Sequence, residues 1–281
     1  NNLSIFVNFP ATSRIARTQS YLLAEAGWLL FHELAHASDF LPPNERSRLN
    51  DNLGLTAWGF IEPLFSSGRL PSAALSATYP LQSIEMSALA QVKFFGAIPT
   101  DLQKSYTPLQ VASFFVPDRA TDEYSYATIR EDLAMLFEEF MMFRNSPDPA
   151  ARWRRDVAIT DKILDTTTSA TLIVRWGQRG RIGETAVRPR VQLVVQQLTP
   201  WVLAADPNAI AAIPAPLAMR PGESWNANLT LPAPPPGLVG AASARLPALS
   251  FEEDRMLLAR ALGGPHGGVL NLDAPAGSSG F

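Results

Sequence analysis

The sequence predicts an α-rich α+β fold with a small sheet and an additional C-terminal region of helix and extended chain. Three observations lead there. Long stretches, above all 14–38 and 128–145, carry apolar residues at helical spacing between recognisable starts and stops. Strand-like alternation is confined to short segments such as "NLSIFVNFP", with Leu3, Ile5 and Val7. From residue 204 onward the composition turns to Pro, Ala and Gly, as in "LPAPPPG", which suits a wrapping segment better than a packed core.

The chain has 281 residues, 47% hydrophobic and 17% charged, a globular rather than a disordered composition. Its expected organisation is a principal domain over 1–150, a helical extension packed on it over 151–203, and the Pro/Ala/Gly-rich segment with a terminal helix over 204–281. A net charge of −3 with no basic stripe argues against a nucleic-acid partner. There are no cysteines, so disulfides and thiolate ligands are excluded and any metal must be held by nitrogen and oxygen. No apolar run is long enough for a transmembrane segment; the best, "YLLAEAGWLLFHELAHA", is broken by Glu25, His32, Glu33 and His36. A start without Met and a Pro- and Ala-rich, cysteine-free composition favour an exported protein over a cytoplasmic one.

Each element has a local reason. The first strand ends at Pro10, and Thr12 or Ser13 can cap a helix over 14–38 that "LPP" at 41–43 stops. Residues 44–82 look irregular, with short helices. "SIEMSALAQVKFFG", 83–96, reads as a helix ended by Gly96. "TPLQVASFF", 107–115, is a further helix, and "TIREDLAMLFEEFMMFRN", 128–145, is strongly helical. "PDPAARWRRDVAITDKIL" reads as helical after its prolines. "SATLIVRWGQRGRIG", 169–183, is either a strand followed by a glycine loop or the end of a helix. "AVRPRVQLVVQQLTPWV", 186–202, is amphipathic but contains Pro189. Ser250 and Glu253 form a capping-box start for a helix over 250–264.

Chemistry concentrates in "FHELAHASDF", 31–40. On a helix, residues four apart share a face, so His32 and His36 can aim two imidazoles at one metal ion. Glu33 stands about 100° further round. It can reach a water molecule that zinc makes acidic, to a pKa of about 7, without itself binding the metal. This is the HExxH arrangement of zinc peptidases. The plain alternative is a helix that happens to carry two histidines. Burying both without a partner would be costly, and they are two of only three in the chain.

A catalytic zinc usually takes a third protein ligand. Ser38 and Pro42 stand where the extended HExxHxxGxxH pattern needs Gly and His, and His266 lies in a glycine-rich tail. A carboxylate is therefore expected. Asp39 shares the histidine face but lies about 10 Å along the axis from His32, which suits a group that orients a histidine rather than a ligand. On 128–145, Ile129, Leu133, Leu136, Phe137 and Phe140 form one apolar stripe. Glu131 and Glu138 lie opposite it with Met135 and Met142, and the helix also carries Glu139. A helix apolar on most sides is buried, and a carboxylate buried with it needs a partner. The competing role for Glu131 is a capping box with Thr128. Glu85, in "SIEMSALA", is a further candidate ligand.

"HELAHASDF" together with "EDLAMLFEEFM" resembles the gluzincin-type zinc metallopeptidases of the group that includes anthrax lethal factor and the Mlc titration factor. The resemblance implies a zincin-like domain. It implies Glu131, heading E-x-x-A-x-x-x-E with Ala134 and Glu138, as the third ligand of a single Zn2+ per chain. It also implies Tyr124, seven residues earlier, as the group that stabilises the transition state, with Tyr126 as a near neighbour able to serve instead. The chain departs from the group's pattern at Asp132 and Leu133, where an aromatic pair is usual. The expected activity is hydrolysis of a peptide or protein substrate, with Glu33 as general base and then proton donor. The alternatives are an inactive zincin-fold binding protein, with or without metal, and a metal-free helical domain. "GESW" at 222–225 lacks the second glycine of a nucleophile elbow, and "WGQRGRIG" lacks dinucleotide-loop spacing and reads as a solvated loop.

Overall fold

The computed structural model describes residues 19–43, 67–145, 156–162 and 170–228. The expected strand at 3–8, the cap at Thr12 or Ser13, the helix at 250–264 and His266 lie outside them. The described chain is helix-rich with a small three-stranded antiparallel sheet.

Helix α1 (Gln19–Phe40) carries the opening motif. Helix α2 (Pro71–Thr78) begins with proline in its first turn, where a missing N–H costs nothing. Helix α3 (Ile84–Phe95) is capped by the Ser83 hydroxyl, which accepts from the Met86 N–H, and ends at Gly96 with φ 73°. Helices α4 (Asp101–Ser105) and α5 (Pro108–Phe115) each open with a complete capping box, Thr100 with Gln103 and Thr107 with Gln110. A single 3-10 turn, Tyr124–Tyr126, leads into helix α6 (Ile129–Asn145).

Every side chain of α6 from Glu131 to Phe140 is buried. Leu133, Ala134, Leu136, Phe137 and Phe140 form a core with Ala35 of α1 and Leu75 of α2. Val191, Val194, Val195 and Leu198 of helix α7 (Arg188–Leu198) join it, with Ile182, Val187, Ala209 and Ile213. A second core joins Met86, Leu89 and Ala90 of α3 to Val111 and Phe115 of α5, with Tyr126 and Val157. Residues of 151–203 and of 204–228 thus enter the same cores as those before 150.

The region expected as a helical extension contributes two strands of the sheet, and the segment after 204 contributes the third. Strand β1 (Asp156–Thr160) pairs antiparallel with β2 (Val174–Arg179), Val157 opposite Gln178 and Ala158 opposite Gly177. β3 (Leu217–Ala218) pairs on the other edge of β2. The helical reading of 147–164 therefore fails at "DVAIT". Val157 faces the second core, while Ala158 packs with Leu172, Val174, Met219 and Trp225 on the opposite side. A period of two inside a longer polar stretch escapes a helical search window. Of the two readings of 169–183, the strand followed by a glycine loop is the one observed, with Gly180 at φ 73°. Pro189 falls in the first turn of α7 and is compatible with it. After α7 come α8 (Pro200–Ala205) and α9 (Trp225–Asn228).

Four carboxylates on α6 are buried, and three of them contact a guanidinium or imidazole group directly. Asp132 is paired with Arg190 of α7, which also donates to the Arg119 carbonyl at 2.7 Å. Burial pushes the Asp132 carboxyl up to about 6 against the pull of that guanidinium. Glu139 lies in the field of Arg181. Glu131 and Glu138 face α1. Removing one partner of a buried ion pair leaves an uncompensated charge. Arg190→Met is therefore expected to cost about 3–5 kcal/mol in urea unfolding, and Arg190→Met with Asp132→Leu about 2 kcal/mol less than that single variant. A double variant as unstable as the single one would contradict this.

Candidate metal centre

The site is built by two facing helices. On α1, Trp28, His32, Ala35 and Asp39 are buried, a stripe at spacings of four, three and four that looks into the protein. Leu30, Glu33 and Leu34 are exposed on the same helix. On α6, Glu131 and Glu138 are seven residues apart and so stand on one face. The small side chains Ala35 and Ala134, both fully buried in the joint core, let the helices approach closely.

The result is a buried imidazole between two carboxylates. His32 Nδ1 lies 2.7 Å from Glu138 Oε2, and His32 Nε2 lies 3.0 Å from Glu131 Oε2. His36 Nε2 lies 3.0 Å from His32 Nε2 and 3.4 Å from Glu131 Oε2. His32 Nε2, His36 Nε2 and Glu131 Oε2 thus form a triangle with edges of 3.0, 3.0 and 3.4 Å. Ligands at about 2.05 Å from a tetrahedral zinc would be about 3.3 Å apart, so the triangle already has the required size. Among the described residues, these three form the group able to hold a metal ion. Glu138 engages the ring nitrogen of His32 that faces away from the triangle, which fixes the ring and leaves Nε2 as the ligand atom.

The capping-box alternative for Glu131 is half realised. The Thr128 hydroxyl accepts from the Glu131 backbone N–H at 3.1 Å, while the Glu131 carboxylate turns to the histidines. Burial would raise the pKa of this carboxyl, but the hydrogen bonds and charges of His32 and His36 outweigh it and hold Glu131 well below the usual glutamate value.

Asp39 differs from expectation. Its carboxylate accepts from the Ser72 N–H and hydroxyl, both at 2.8 Å, and so ties the end of α1 to the first turn of α2. The Arg130 guanidinium lies 3.9 Å away. The free N–H groups of a helix start compete for this acid, and its influence on His36 is through charge alone. Glu85 is exposed in the first turn of α3, whose buried side is Met86, Leu89 and Ala90, and it is not brought to the histidines.

The two tyrosines separate. The Tyr124 ring stacks on the His32 ring at 6.2 Å between centroids, tilted by 27°. Tyr126 is buried, and its hydroxyl donates to Asp118 Oδ2 at 2.9 Å. It cannot serve in place of Tyr124 without giving up that bond. No sequence motif flags Phe94, whose ring meets the Tyr124 ring edge-on at 4.9 Å, or Lys93, whose ammonium lies 2.6 Å from Glu123. The only trace is Asp122, an Asx-turn residue that accepts from the Tyr124 and Ser125 N–H groups.

Comparison with known proteins adds no family: no family model, curated protein or solved structure matches the chain. No helix among the described residues is long and apolar enough to cross a membrane.

Because the folded-state pKa of Glu131 is lowered, its stabilising contribution to the metal-free protein is complete above the ordinary glutamate value of about 4.3 and is lost as pH falls below it. Glu131→Gln is expected to flatten the loss of stability between about pH 4.5 and 3, followed by the urea midpoint. An acid limb unchanged by this substitution would contradict the assignment.

Proposed function

We propose that the chain is a zinc-dependent peptidase of zincin-like fold, with His32, His36 and Glu131 holding one zinc ion. The observation that carries this reading is the triangle of ligand atoms, from buried His32 and Glu131 and half-buried His36, beside an exposed Glu33 on the same helix turn. Two imidazoles and one carboxylate, with a fourth position left for water, form a ligand set suited to catalytic zinc. When bound, zinc would supply a Lewis acid that acidifies water and polarises a peptide carbonyl.

The chain's own residues divide the remaining work. Glu33 takes a proton from the attacking water and delivers it to the leaving amine, so one carboxylate serves as base and then as acid. Its exposure on α1 leaves it open to a substrate approaching from solvent. The Tyr124 hydroxyl donates to the oxygen on which negative charge develops. Glu138 keeps the His32 ring in one orientation through its 2.7 Å contact with Nδ1. The resemblance of "HELAHASDF" and "EDLAMLFEEFM" to the gluzincin-type peptidases supports the same roles for the same residues.

Glu33→Gln is expected to retain zinc and to cleave a pooled fluorogenic peptide library at least about 100-fold more slowly than the parent. Cleavage at the parent rate would overturn the role of Glu33.

A further inference from the structure

The stretch "WGQRGRIG" has no part in the triangle, yet it reaches the site through a chain of contacts. Gly180, at φ 73°, turns the chain out of β2 into a 3-10 turn, Arg181–Gly183. Gly183 lies so close to another segment that a Cβ there would stand 1.8 Å from the Pro214 carbonyl oxygen. This wedged turn aims the Arg181 side chain inward, not into solvent as a charged loop residue would be expected to point. Arg181 is only 2% exposed, and its guanidinium lies over the rings of Phe115 and Trp176 at 4.6 and 5.3 Å.

All its hydrogen bonds go to uncharged oxygens. Nε donates to the Ala120 carbonyl at 2.7 Å, and Nη2 to the carbonyls of Asp118 at 2.9 Å, Val116 at 3.1 Å and Phe115 at 3.5 Å. Nη1 donates to the Gln178 side chain at 2.8 Å. Burying a guanidinium is costly, and an apolar side chain would fill this space more cheaply. What the guanidinium adds is a fixed path for residues 115–120, gathering carbonyls at the end of α5 and of the turn that follows it.

Asp118 sits in the middle of that path. Its Oδ2 accepts from the Gln82 and Ser83 N–H groups and from the Tyr126 hydroxyl, and its Oδ1 from the Arg119 N–H. Tyr126 and Tyr124 belong to the same 3-10 turn. Holding the Tyr126 side chain therefore fixes the backbone from which the Tyr124 ring projects, against His32 and Phe94. The Lys93–Glu123 pair and the Asp122 carboxylate hold the same turn from its other side.

We propose that Arg181, through Asp118 and Tyr126, is a positioning residue that holds Tyr124 against the His32 ring. Its catalytic consequence rests on the peptidase reading; the positioning itself does not. Tyr126→Phe removes only the hydroxyl that meets Asp118 and keeps the buried ring, so it is the gentlest test. The chain has five tyrosines. In protein labelled with 13C at the tyrosine rings, the Tyr124 signal is assigned by its loss in Tyr124→Phe. That signal is expected to shift or broaden in Tyr126→Phe and in Arg181→Lys. It is expected to stay in place in Arg179→Lys, a control in which the buried pair with Asp156 is altered instead. In the zinc-loaded full chain, Tyr126→Phe is expected to lower kcat about tenfold with KM and metal content unchanged. It is expected to add nothing further in a Tyr124→Phe background, because it acts through that ring. A folded Tyr126→Phe protein with the Tyr124 signal unmoved would overturn the proposal, as would losses that multiply in the double variant. A parent without hydrolytic activity would count against the peptidase reading, while the ring signal would still decide the positioning.

Discussion

The clasp of His32 between Glu138 and Glu131 is the interaction on which the arrangement depends. An imidazole and two carboxylates are withdrawn from water at the interface of α1 and α6. Each alone would oppose burial; the contacts of both ring nitrogens with the carboxylates offset that cost. The clasp sets the rotation of α1 about its own axis, because His32 can meet residues 131 and 138 only if Trp28, Ala35 and Asp39 also face inward. That rotation leaves Glu33 on the exposed side. The position of the proposed base thus follows from the position of the buried histidine and from helix geometry.

Around the clasp, buried charge is distributed by a simple offset. Glu131 and Glu138 lie on one face of α6, and Asp132 and Glu139 lie one position further round. The first pair meets the histidines. The second meets arginines from the C-terminal half of the described chain, Arg190 by direct contact and Arg181 through its field. The two halves are therefore joined by polar groups as well as by the core that unites α6 with α7. Asp118 extends this network to α3 by accepting from the backbone that precedes that helix.

Much of this is legible in the sequence where the rule involved is local. His32, Glu33 and His36 follow from spacing on one helix. Ser83 and Gly96 mark the ends of α3, and Thr128 marks the start of α6. By spacing alone Glu131 is one of several carboxylates on a buried helix; only the resemblance singles it out, and it is the facing helix that brings it to the histidines. Asp39 shows the limit of facial reasoning. It lies on the histidine face, but the start of α2, which no spacing rule brings near, takes both its oxygens. Tyr124 and Tyr126 are two residues apart and locally similar, and it is distant partners, Asp118 for Tyr126 and His32 and Phe94 for Tyr124, that separate their surroundings. "DVAIT" is a strand because β2 pairs with it, and Arg181 of "WGQRGRIG" turns inward because the chain over 115–120 offers it carbonyls. Both depend on partners distant in the chain.

The most direct test of the central claim is the metal content of the purified full chain, measured by elemental analysis beside His36→Ala and Glu131→Ala. The account predicts about one zinc per parent chain, lost with His36→Ala and reduced with Glu131→Ala while both variants stay folded. A parent chain that takes up no zinc even when it is supplied, or zinc retained in full by both variants, would contradict it.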